Sequence, residues 1–322
     1  MRSALAFNDS LSVSTVDNSE VQLIRLAGQA GPVVLFLHAN GFHVKCYVPL
    51  AQRIAKGGYQ CWGLEFRGQG GAVAPPGNLV ELYLSDLNCA TETLSLRGCY
   101  AFAHSGGAQV AIRAEAQNPG TFAAIYAYEP VYLPSGGGSS FEQNVKVFEG
   151  LAAAARRRKA TFNSRQDAAQ RYRARPPFST FNQRCFQQYV QHGLTQLQDG
   201  TCTLTISTEN EARWYVAAGR MAISGSLEDP PNVRCPLVIA VGMRTEGEAM
   251  NFLGPAGIQQ TRRFPKGRSE RFHGLGHLGP LEDPITVASR ALHCFDASRQ
   301  QSAWAALPRS ETIQAAQLSA KL

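Results

Sequence analysis

Residues 99–107 read Cys-Tyr-Ala-Phe-Ala-His-Ser-Gly-Gly, and the helical pattern of Gln109–Gln117 follows them directly. An apolar strand that turns into a helix at a serine between small residues is typical of a nucleophile elbow. The backbone is crowded around such a serine, so only small residues fit two positions before and after it, and Ala103 and Gly107 meet this demand. The helix that follows directs its free N–H groups towards the site, which favours an oxyanion. Ser105 is therefore the candidate nucleophile.

A serine hydroxyl needs a base to remove its proton, and the base needs an acid to orient it. His277 is the candidate base, because it lies in the glycine-rich loop Gly274–Pro284, between the last predicted strand and the last predicted helix. Glycine gives a loop the freedom to bring the imidazole over the sheet edge. The nearby His273 is interpreted as a polar loop residue.

The acid is expected in the loop after the predicted strand Pro236–Val241, where two glutamates compete. We favour Glu246 over Glu248. Glu129, which follows the preceding strand in Tyr-Glu-Pro, is a further alternative, and any of the three is otherwise a solvated loop carboxylate.

An oxyanion needs two preset hydrogen-bond donors. One is expected to be the backbone N–H of Gly106, the residue after the nucleophile. The second is expected in the loop after the predicted strand Val33–Leu37, where we assign the backbone N–H of Asn40, with Gly41 as the alternative. His38, in the same loop, is interpreted as a buried structural histidine.

Around these residues, strand and helix patterns alternate. The segments 12–16 and 21–26 predict an antiparallel hairpin, and short apolar strands then alternate with helices as far as Tyr128. Strands buried on both faces are continuous apolar runs, so the pattern predicts an α/β fold with a mostly parallel sheet flanked by helices.

The alternation stops near residue 132, which predicts a discontinuous core of residues 1–132 and 233–300. Residues 133–232 are predicted to form an inserted helical lid, with one helix over 144–159 and a second that starts at the capping box 164–167. Strands are predicted to resume at Pro236–Val241 and Thr261–Pro265, and a last helix at Pro284–Phe295. Residues 301–322 are predicted to be a C-terminal tail that has no strand and at most one loose helix.

Composition excludes several classes of protein. With 322 residues and 44% hydrophobic content the chain can bury a full core, and its apolar runs are too short for a membrane helix. The eight cysteines form no CxxC pair, which indicates reduced thiols and a reducing, intracellular compartment. The seven histidines have no metal-ligand spacing and no phosphate-binding glycine motif is present, so we expect no metal and no cofactor.

The net charge of +7 is concentrated in one segment, residues 156–175, which holds eight Lys or Arg and one acid. The simpler interpretation is a solvated arginine-rich helix face. The functional alternative is a surface that attracts anionic substrates. The charges are not accompanied by a surface in which aromatic and basic residues are interleaved, so no nucleic-acid partner is expected.

Four motifs in this order resemble the α/β-hydrolase fold family over nearly all of residues 20–300. His38–Gly41 is similar to its oxyanion loop, Glu65–Gly70 to its Asp-x-Arg-Gly-x-Gly turn with Glu for Asp, 103–107 to its elbow, and Gly274–Pro284 to its histidine loop. The resemblance implies a serine hydrolase of the esterase, lipase or haloperoxidase-like branch. A serine nucleophile argues against the epoxide hydrolase and haloalkane dehalogenase branches.

The expected activity is therefore cleavage of a small-molecule ester or thioester, anionic or neutral, through an acyl-enzyme. The alternatives are a receptor-like binding protein that keeps the fold with little turnover and a cofactor-free perhydrolase or haloperoxidase-like enzyme. Acyl chain length, leaving group and oligomeric state are left open.

The last three residues are Ala320-Lys321-Leu322, a variant of the Ser-Lys-Leu peroxisomal address. If the source is eukaryotic, the tripeptide predicts recognition by a peroxisomal import receptor. Otherwise the tripeptide is a coincidence and a cytoplasmic location is expected.

Overall fold

The computed structural model describes residues 9–69, 74–131, 139–223, 232–244, 258–259 and 261–315. The strands in these ranges are β1 (Ser10–Ser14), β2 (Glu20–Ala27), β3 (Val33–Leu37), β4 (Gln60–Glu65), β5 (Cys99–His104), β6 (Phe122–Tyr128), β7 (Thr161–Phe162), β8 (Leu194–Gln196), β9 (Cys202–Leu204), β10 (Leu237–Gly242), β11 (Gly267–His273) and β12 (Ser310–Gln314). The α-helices are α1 (Val48–Ala55), α2 (Leu79–Thr93), α3 (Gly106–Gln117), α4 (Ser139–Arg156), α5 (Arg165–Arg173), α6 (Gln183–His192), α7 (Thr208–Ile223), α8 (Gly279–Glu282), α9 (Pro284–Ser298) and α10 (Gln301–Ala306).

The main sheet has the order β1-β2-β4-β3-β5-β6-β10-β11-β12 in the described ranges. The predicted hairpin is present, because β1 pairs antiparallel with β2, and β2 pairs antiparallel with β4. From β4 to β12 every neighbouring pair is parallel, so the carboxyl ends of these strands lie at one edge of the sheet. The predicted fold class, a mostly parallel sheet flanked by helices, is confirmed.

Alternate residues of the central strands supply two separate cores. In β3, Leu35 and Leu37 pack on the face covered by α2 and α3, whereas Val34 and Phe36 pack on the face covered by α1 and α9. The two side chains of each pair are at most 1% exposed. Because both faces are covered by helices, these strands have no polar alternation, and this is why they are apolar runs in the sequence.

The segment inserted between β6 and β10 contains more than the predicted helices. Helices α4 to α7 are joined by a small antiparallel sheet in the order β7-β9-β8. Ser164 caps α5 as its capping box predicts, since its side chain accepts a hydrogen bond of 3.0 Å from the Asp167 amide. The strands of the small sheet have two or three residues each, too few for a sequence period to be visible.

Two sequence predictions near the C-terminus are wrong. Thr261–Pro265 is not a strand, and the strand instead covers Gly267–His273, whose charged residues concealed it. The buried Glu270 is neutralised there by an ion pair of 2.6 Å with Arg290 and accepts a 2.6 Å hydrogen bond from the Tyr126 hydroxyl. The segment from residue 301 is also not free of strands, because after the helix α10 it forms β12, which pairs in parallel with β11. Strand β12 is half-buried on alternate residues and has no apolar run.

Candidate active site

Ser105 lies on a strained turn between β5 and α3, with φ 54° and ψ −116°. A non-glycine residue rarely adopts a positive φ, and such strain persists only where the surroundings impose it. The turn passes close to the oxyanion loop, because a Cβ on Gly107 would lie 2.4 Å from the carbonyl oxygen of Leu37 and 2.6 Å from that of His38. The Ser105 amide donates to the Tyr128 carbonyl at 2.9 Å, which ties the turn to the end of β6.

His277 reaches Ser105 from the loop between β11 and α8. Its Nε2 lies 3.1 Å from the Ser105 Oγ. The loop is held at the residue before His277, since the Gly276 amide donates to the buried Glu282 carboxylate at 3.1 Å and the Tyr128 hydroxyl donates to the Gly276 carbonyl at 3.0 Å. The structure thus brings the candidate nucleophile and the candidate base within hydrogen-bond distance.

The carboxylate beside His277 belongs to Glu129, at the end of β6. Its Oε2 lies 2.7 Å from the His277 Nδ1, and its Oε1 accepts a hydrogen bond of 2.8 Å from the Gly242 amide. Glu129 is buried and has a φ of 42°, so this residue also occupies the left-handed region. With Nδ1–H donating to the carboxylate, Nε2 is left to accept the serine proton.

This contact differs from the one that the sequence analysis favours. Glu246 and its alternative Glu248 lie outside the described residues. Glu129 follows β6, which stands between the Ser105 strand β5 and β10 in the sheet. All three carboxylates therefore follow strands that end at one sheet edge, and sequence spacing does not rank them. The useful signal is the Tyr-Glu-Pro turn, a glutamate placed directly after a buried strand next to the elbow.

The two assigned oxyanion donors belong to the elbow and the oxyanion loop. Gly106 opens α3, so its amide has no acceptor within the helix. The Gly41 amide donates to the Gln69 Oε1 at 2.8 Å, which leaves it occupied. Among the hydrogen bonds of the described residues, none uses the Asn40 amide. The geometry therefore favours Asn40 over Gly41 as the second donor.

The side chain of Asn40 is itself held from two directions. Its Oδ1 accepts a hydrogen bond of 2.9 Å from Gln69, and its Nδ2 donates to the Glu211 carbonyl on α7 at 3.1 Å. Gln69 is fully buried and thus connects the two loops without contact with water. Neither partner is predicted by the sequence patterns, because Gln69 is an unassigned position within a turn motif and Glu211 lies in the insertion.

Helix α7 also packs on the elbow. A Cβ on Gly106 would lie 2.4 Å from Cζ2 of Trp214, so the indole occupies the space that a side chain at position 106 would need. Trp214 is 1% exposed and its ring makes an edge contact with Tyr215 at a centroid distance of 5.7 Å. One helix of the insertion therefore contacts both segments to which the oxyanion donors are assigned.

His38 has a structural environment. Its Nδ1–H donates to the Ala39 carbonyl at 2.9 Å, and its Nε2 accepts from the Phe66 amide at 3.2 Å. Burial lowers the pKa of His38 to about 4. A neutral, fully bonded imidazole cannot act as a proton acceptor towards a substrate.

The basic segment 156–175 is largely engaged by groups of the insertion. Arg156 pairs with Glu209 at 2.8 Å and Arg158 pairs with the buried Glu211. Arg165 donates to the Leu194 carbonyl at 2.8 Å. These contacts give part of the basic segment a structural role within the insertion, and attraction of an anionic substrate stays a prediction.

Two further findings concern the described residues alone. No group of three or more His, Cys, Asp or Glu side chains is arranged so that it could hold a metal ion. No described helix combines the length and the apolar content that a membrane span requires.

The sequence and the fold were compared with those of known proteins. A family profile described as "Alpha/beta hydrolase family" matches residues 34–290. No curated protein matches the chain. Among solved structures, the fold is similar to E-2-(acetamidomethylene)succinate hydrolase, with a TM-score of 0.70 and 19% identity over 89% of this chain and 99% of that one.

Two other solved structures are similar at comparable levels. The peroxisomal alpha-beta-hydrolase Lpx1 from Saccharomyces cerevisiae has a TM-score of 0.68 and 15% identity, over 93% of this chain and 91% of that one. The thioesterase domain from the curacin biosynthetic pathway has a TM-score of 0.68 and 17% identity, over 88% of this chain and all of that one. At these identities the likeness concerns the fold.

Proposed function

The chain belongs to the α/β-hydrolase family, and on that premise we propose that it is a serine hydrolase that cleaves a carboxylic ester or thioester through an acyl-enzyme on Ser105. One observation carries the proposal: the continuous contact from the Ser105 Oγ to the His277 Nε2 at 3.1 Å and from the His277 Nδ1 to Glu129 at 2.7 Å. The acid is thus assigned to Glu129 in place of Glu246.

The mechanism follows from these contacts. His277 Nε2 takes the proton of Ser105 as the Oγ attacks the carbonyl carbon, and Glu129 stabilises the imidazolium that forms. The carbonyl oxygen becomes an oxyanion that accepts hydrogen bonds from the Asn40 and Gly106 amides. His277 then gives the proton to the leaving alcohol or thiol. A water molecule, deprotonated by the same imidazole, releases the acid and restores Ser105.

The strain at both ends of the contact chain supports a functional assignment. Ser105 and Glu129 both have positive φ values, although neither is a glycine. Residues in such conformations cost on the order of 1–3 kcal/mol each and cluster at active sites. The sheet that carries both residues is paired on either side, so it can maintain this geometry.

The first test is covalent labelling with a fluorophosphonate probe, together with hydrolysis of p-nitrophenyl esters of increasing acyl length and of acyl-CoA thioesters. Wild type is expected to be labelled and to turn over, and Ser105→Ala is expected to lose both. Ser269→Ala, a buried serine on β11 that makes no contact with Ser105, is the matched control and is expected to keep both. Wild type that neither labels nor hydrolyses any member of the series would overturn the proposal.

The acid assignment has a separate test. Glu129→Gln is expected to lower kcat roughly 10⁴-fold, as loss of the orienting carboxylate does in other serine triads. Glu246→Gln is expected to retain wild-type kcat. Glu115→Gln is a matched control, because Glu115 is 1% exposed and accepts backbone hydrogen bonds from Gly120 and Phe122 far from Ser105. Full activity in Glu129→Gln with loss in Glu246→Gln would return the role to Glu246.

The same assays separate the competing activities. A receptor-like protein is stabilised by a ligand in thermal unfolding without release of product. A perhydrolase or haloperoxidase-like enzyme has an activity that requires acetate and peroxide, and Ser105→Ala abolishes that activity.

We further propose that, in a eukaryotic cell, Ala320-Lys321-Leu322 directs the protein to the peroxisome. The motif and the fold shared with a peroxisomal hydrolase support this location. A fluorescent reporter fused to residues 301–322 is expected to be punctate in a eukaryotic cell and diffuse when Leu322 is removed. A diffuse signal from the intact fusion would discard the address.

A further inference from the structure

A second chain of hydrogen bonds runs beneath the triad and uses none of its side chains. The Ala39 amide donates to the Tyr47 hydroxyl at 3.2 Å, and the Tyr47 oxygen lies 2.7 Å from the His104 Nδ1. The His104 Nε2 lies 2.8 Å from the backbone carbonyl oxygen of His277. These hydrogen bonds thus connect the oxyanion loop, the elbow and the histidine loop. Ala39 directly precedes Asn40, His104 directly precedes Ser105, and His277 itself has an assigned catalytic role.

The proton positions in this chain are determined by its two ends. The His277 carbonyl can only accept, so the His104 Nε2 carries a hydrogen. A neutral imidazole then accepts at Nδ1, so the Tyr47 hydroxyl donates to it. The Tyr47 oxygen is left to accept from the Ala39 amide, which can only donate. Every donor therefore has an acceptor.

Burial supports a fixed proton arrangement. Tyr47 is 1% exposed and His104 is fully buried. Burial lowers the pKa of His104 well below its usual value and raises that of Tyr47 well above, so both side chains stay neutral near physiological pH. Buried networks in which every polar group is satisfied restrict a structure to one arrangement.

We propose that Tyr47 and His104 are positioning residues that hold the His277 backbone and the oxyanion loop at a fixed distance from Ser105. This inference rests on the proposed serine hydrolase function. Neither side chain contacts the substrate. The hydrogen bonds affect the rate through the geometry of attack, because a displacement of about 1 Å at a reacting group can lower the rate roughly 10²-fold.

The central experiment compares Tyr47→Phe with Tyr126→Phe. Each removes one buried hydroxyl and the short hydrogen bond that it donates, and the Tyr126 hydroxyl donates to Glu270 at 2.6 Å, remote from Ser105. Tyr47→Phe also removes the acceptor of the Ala39 amide. We expect Tyr47→Phe to lower kcat and the rate of phosphonylation by about 10-fold or more, with KM changed by less than about 2-fold. Tyr126→Phe is expected to lower the melting temperature similarly and to leave kcat unchanged.

Variants of His104 test the same hydrogen bonds while a large side chain stays in the core. A glutamine at position 104 offers an N–H donor and an oxygen acceptor at the spacing of the two imidazole nitrogens, whereas leucine offers neither. His104→Gln is therefore expected to retain more of the wild-type kcat than His104→Leu, and Tyr47→Phe in the His104→Leu background is expected to cause little further loss.

The imidazole proton gives a readout that is independent of catalysis. Nitrogen-15 NMR of the wild type is expected to report His104 as the Nε2–H tautomer at pH 6 to 8. The Nδ1–H tautomer, or a kcat in Tyr47→Phe equal to that of Tyr126→Phe, would overturn the inference alone. Wild type that neither reacts with the phosphonate probe nor hydrolyses any ester or thioester of the series would overturn the proposed function and the positioning role together.

Discussion

Substitution of Gly106 by alanine tests whether the insertion and the elbow are fitted to each other. An added Cβ would lie 2.4 Å from Cζ2 of Trp214, and 2.9 and 3.0 Å from Cη2 and Cε2 of the same ring. Carbon atoms in contact prefer about 3.5–4.0 Å, so helix α3 or helix α7 must move by about 1 Å. The indole cannot rotate away, because it is 1% exposed and packed against Tyr215.

Both stability and rate are expected to fall in Gly106→Ala. Overpacking of this kind costs about 1–3 kcal/mol, which corresponds to a decrease of roughly 2–10 °C in melting temperature for a chain of this size. Because the Gly106 amide is the assigned oxyanion donor, a shift of about 1 Å is expected to lower kcat by roughly 10²-fold. Calorimetry and p-nitrophenyl ester kinetics measure the two quantities.

Two further variants make this prediction refutable. Trp214→Phe removes the ring atoms that clash, so it is expected to recover part of the stability and rate when combined with Gly106→Ala, which gives a favourable coupling in the double-mutant cycle. Gly150→Ala is the control, because Gly150 is an exposed position in α4 with no atom within 4 Å of an added Cβ, and it is expected to be neutral or slightly stabilising. Wild-type kcat in Gly106→Ala, or no recovery in the double variant, would refute the reasoning.

Three other perturbations have definite expected outcomes. Burial raises the pKa of Glu65 to about 8, so between about pH 4.5 and 8 folding takes up a proton and stability decreases as pH rises. The decrease amounts to at most roughly 1.4 kcal/mol per pH unit. Glu65→Gln is expected to abolish it, which melting temperatures at pH 5 and pH 8 would measure. Arg158→Met leaves the Glu211 carboxylate buried without its cation, so it is expected to lower the free energy of unfolding in urea by about 3–5 kcal/mol. Arg158→Met combined with Glu211→Leu is expected to lower it much less. Equal losses of stability in the two variants would disprove the pairing. Removal of residues 310–322 deletes the edge strand β12, which three strands separate from β5. This truncation is expected to lower the melting temperature while kcat stays within about 2-fold of wild type, and a large loss of kcat would mean that the edge supports the site.

Local sequence patterns predicted the parts of the fold and site that are governed by local geometry. The strand, the elbow and the helix over residues 99–117 could be predicted, because a tight turn restricts which residues fit it. The expected nucleophile and base lie within hydrogen-bond distance, since the His277 Nε2 is 3.1 Å from the Ser105 Oγ. Sequence spacing left three carboxylates open, because Glu129, Glu246 and Glu248 all follow strands that end at one sheet edge.

The other differences have the same origin. Strand β11 was missed because its charged residues are neutralised by partners distant in sequence, such as Arg290 for Glu270. The contacts of Gln69 and Glu211 with the oxyanion loop join segments more than a hundred residues apart in one case, and periodicity carries no information at that range. Tertiary pairing decides these features, and a single sequence does not display it.

The contact of α7 with both segments to which the oxyanion donors are assigned has a consequence for how such an enzyme diverges or is engineered. Insertions in this family are natural places to change the shape of a pocket, since they lie outside the sheet. Here a new insertion grafted without Trp214 and Glu211 would also remove the packing that holds Gly106 and the bond that holds Asn40. Selectivity and turnover are therefore expected to change together, and a functional chimera would have to carry Thr208–Ile223 along with the core as one unit.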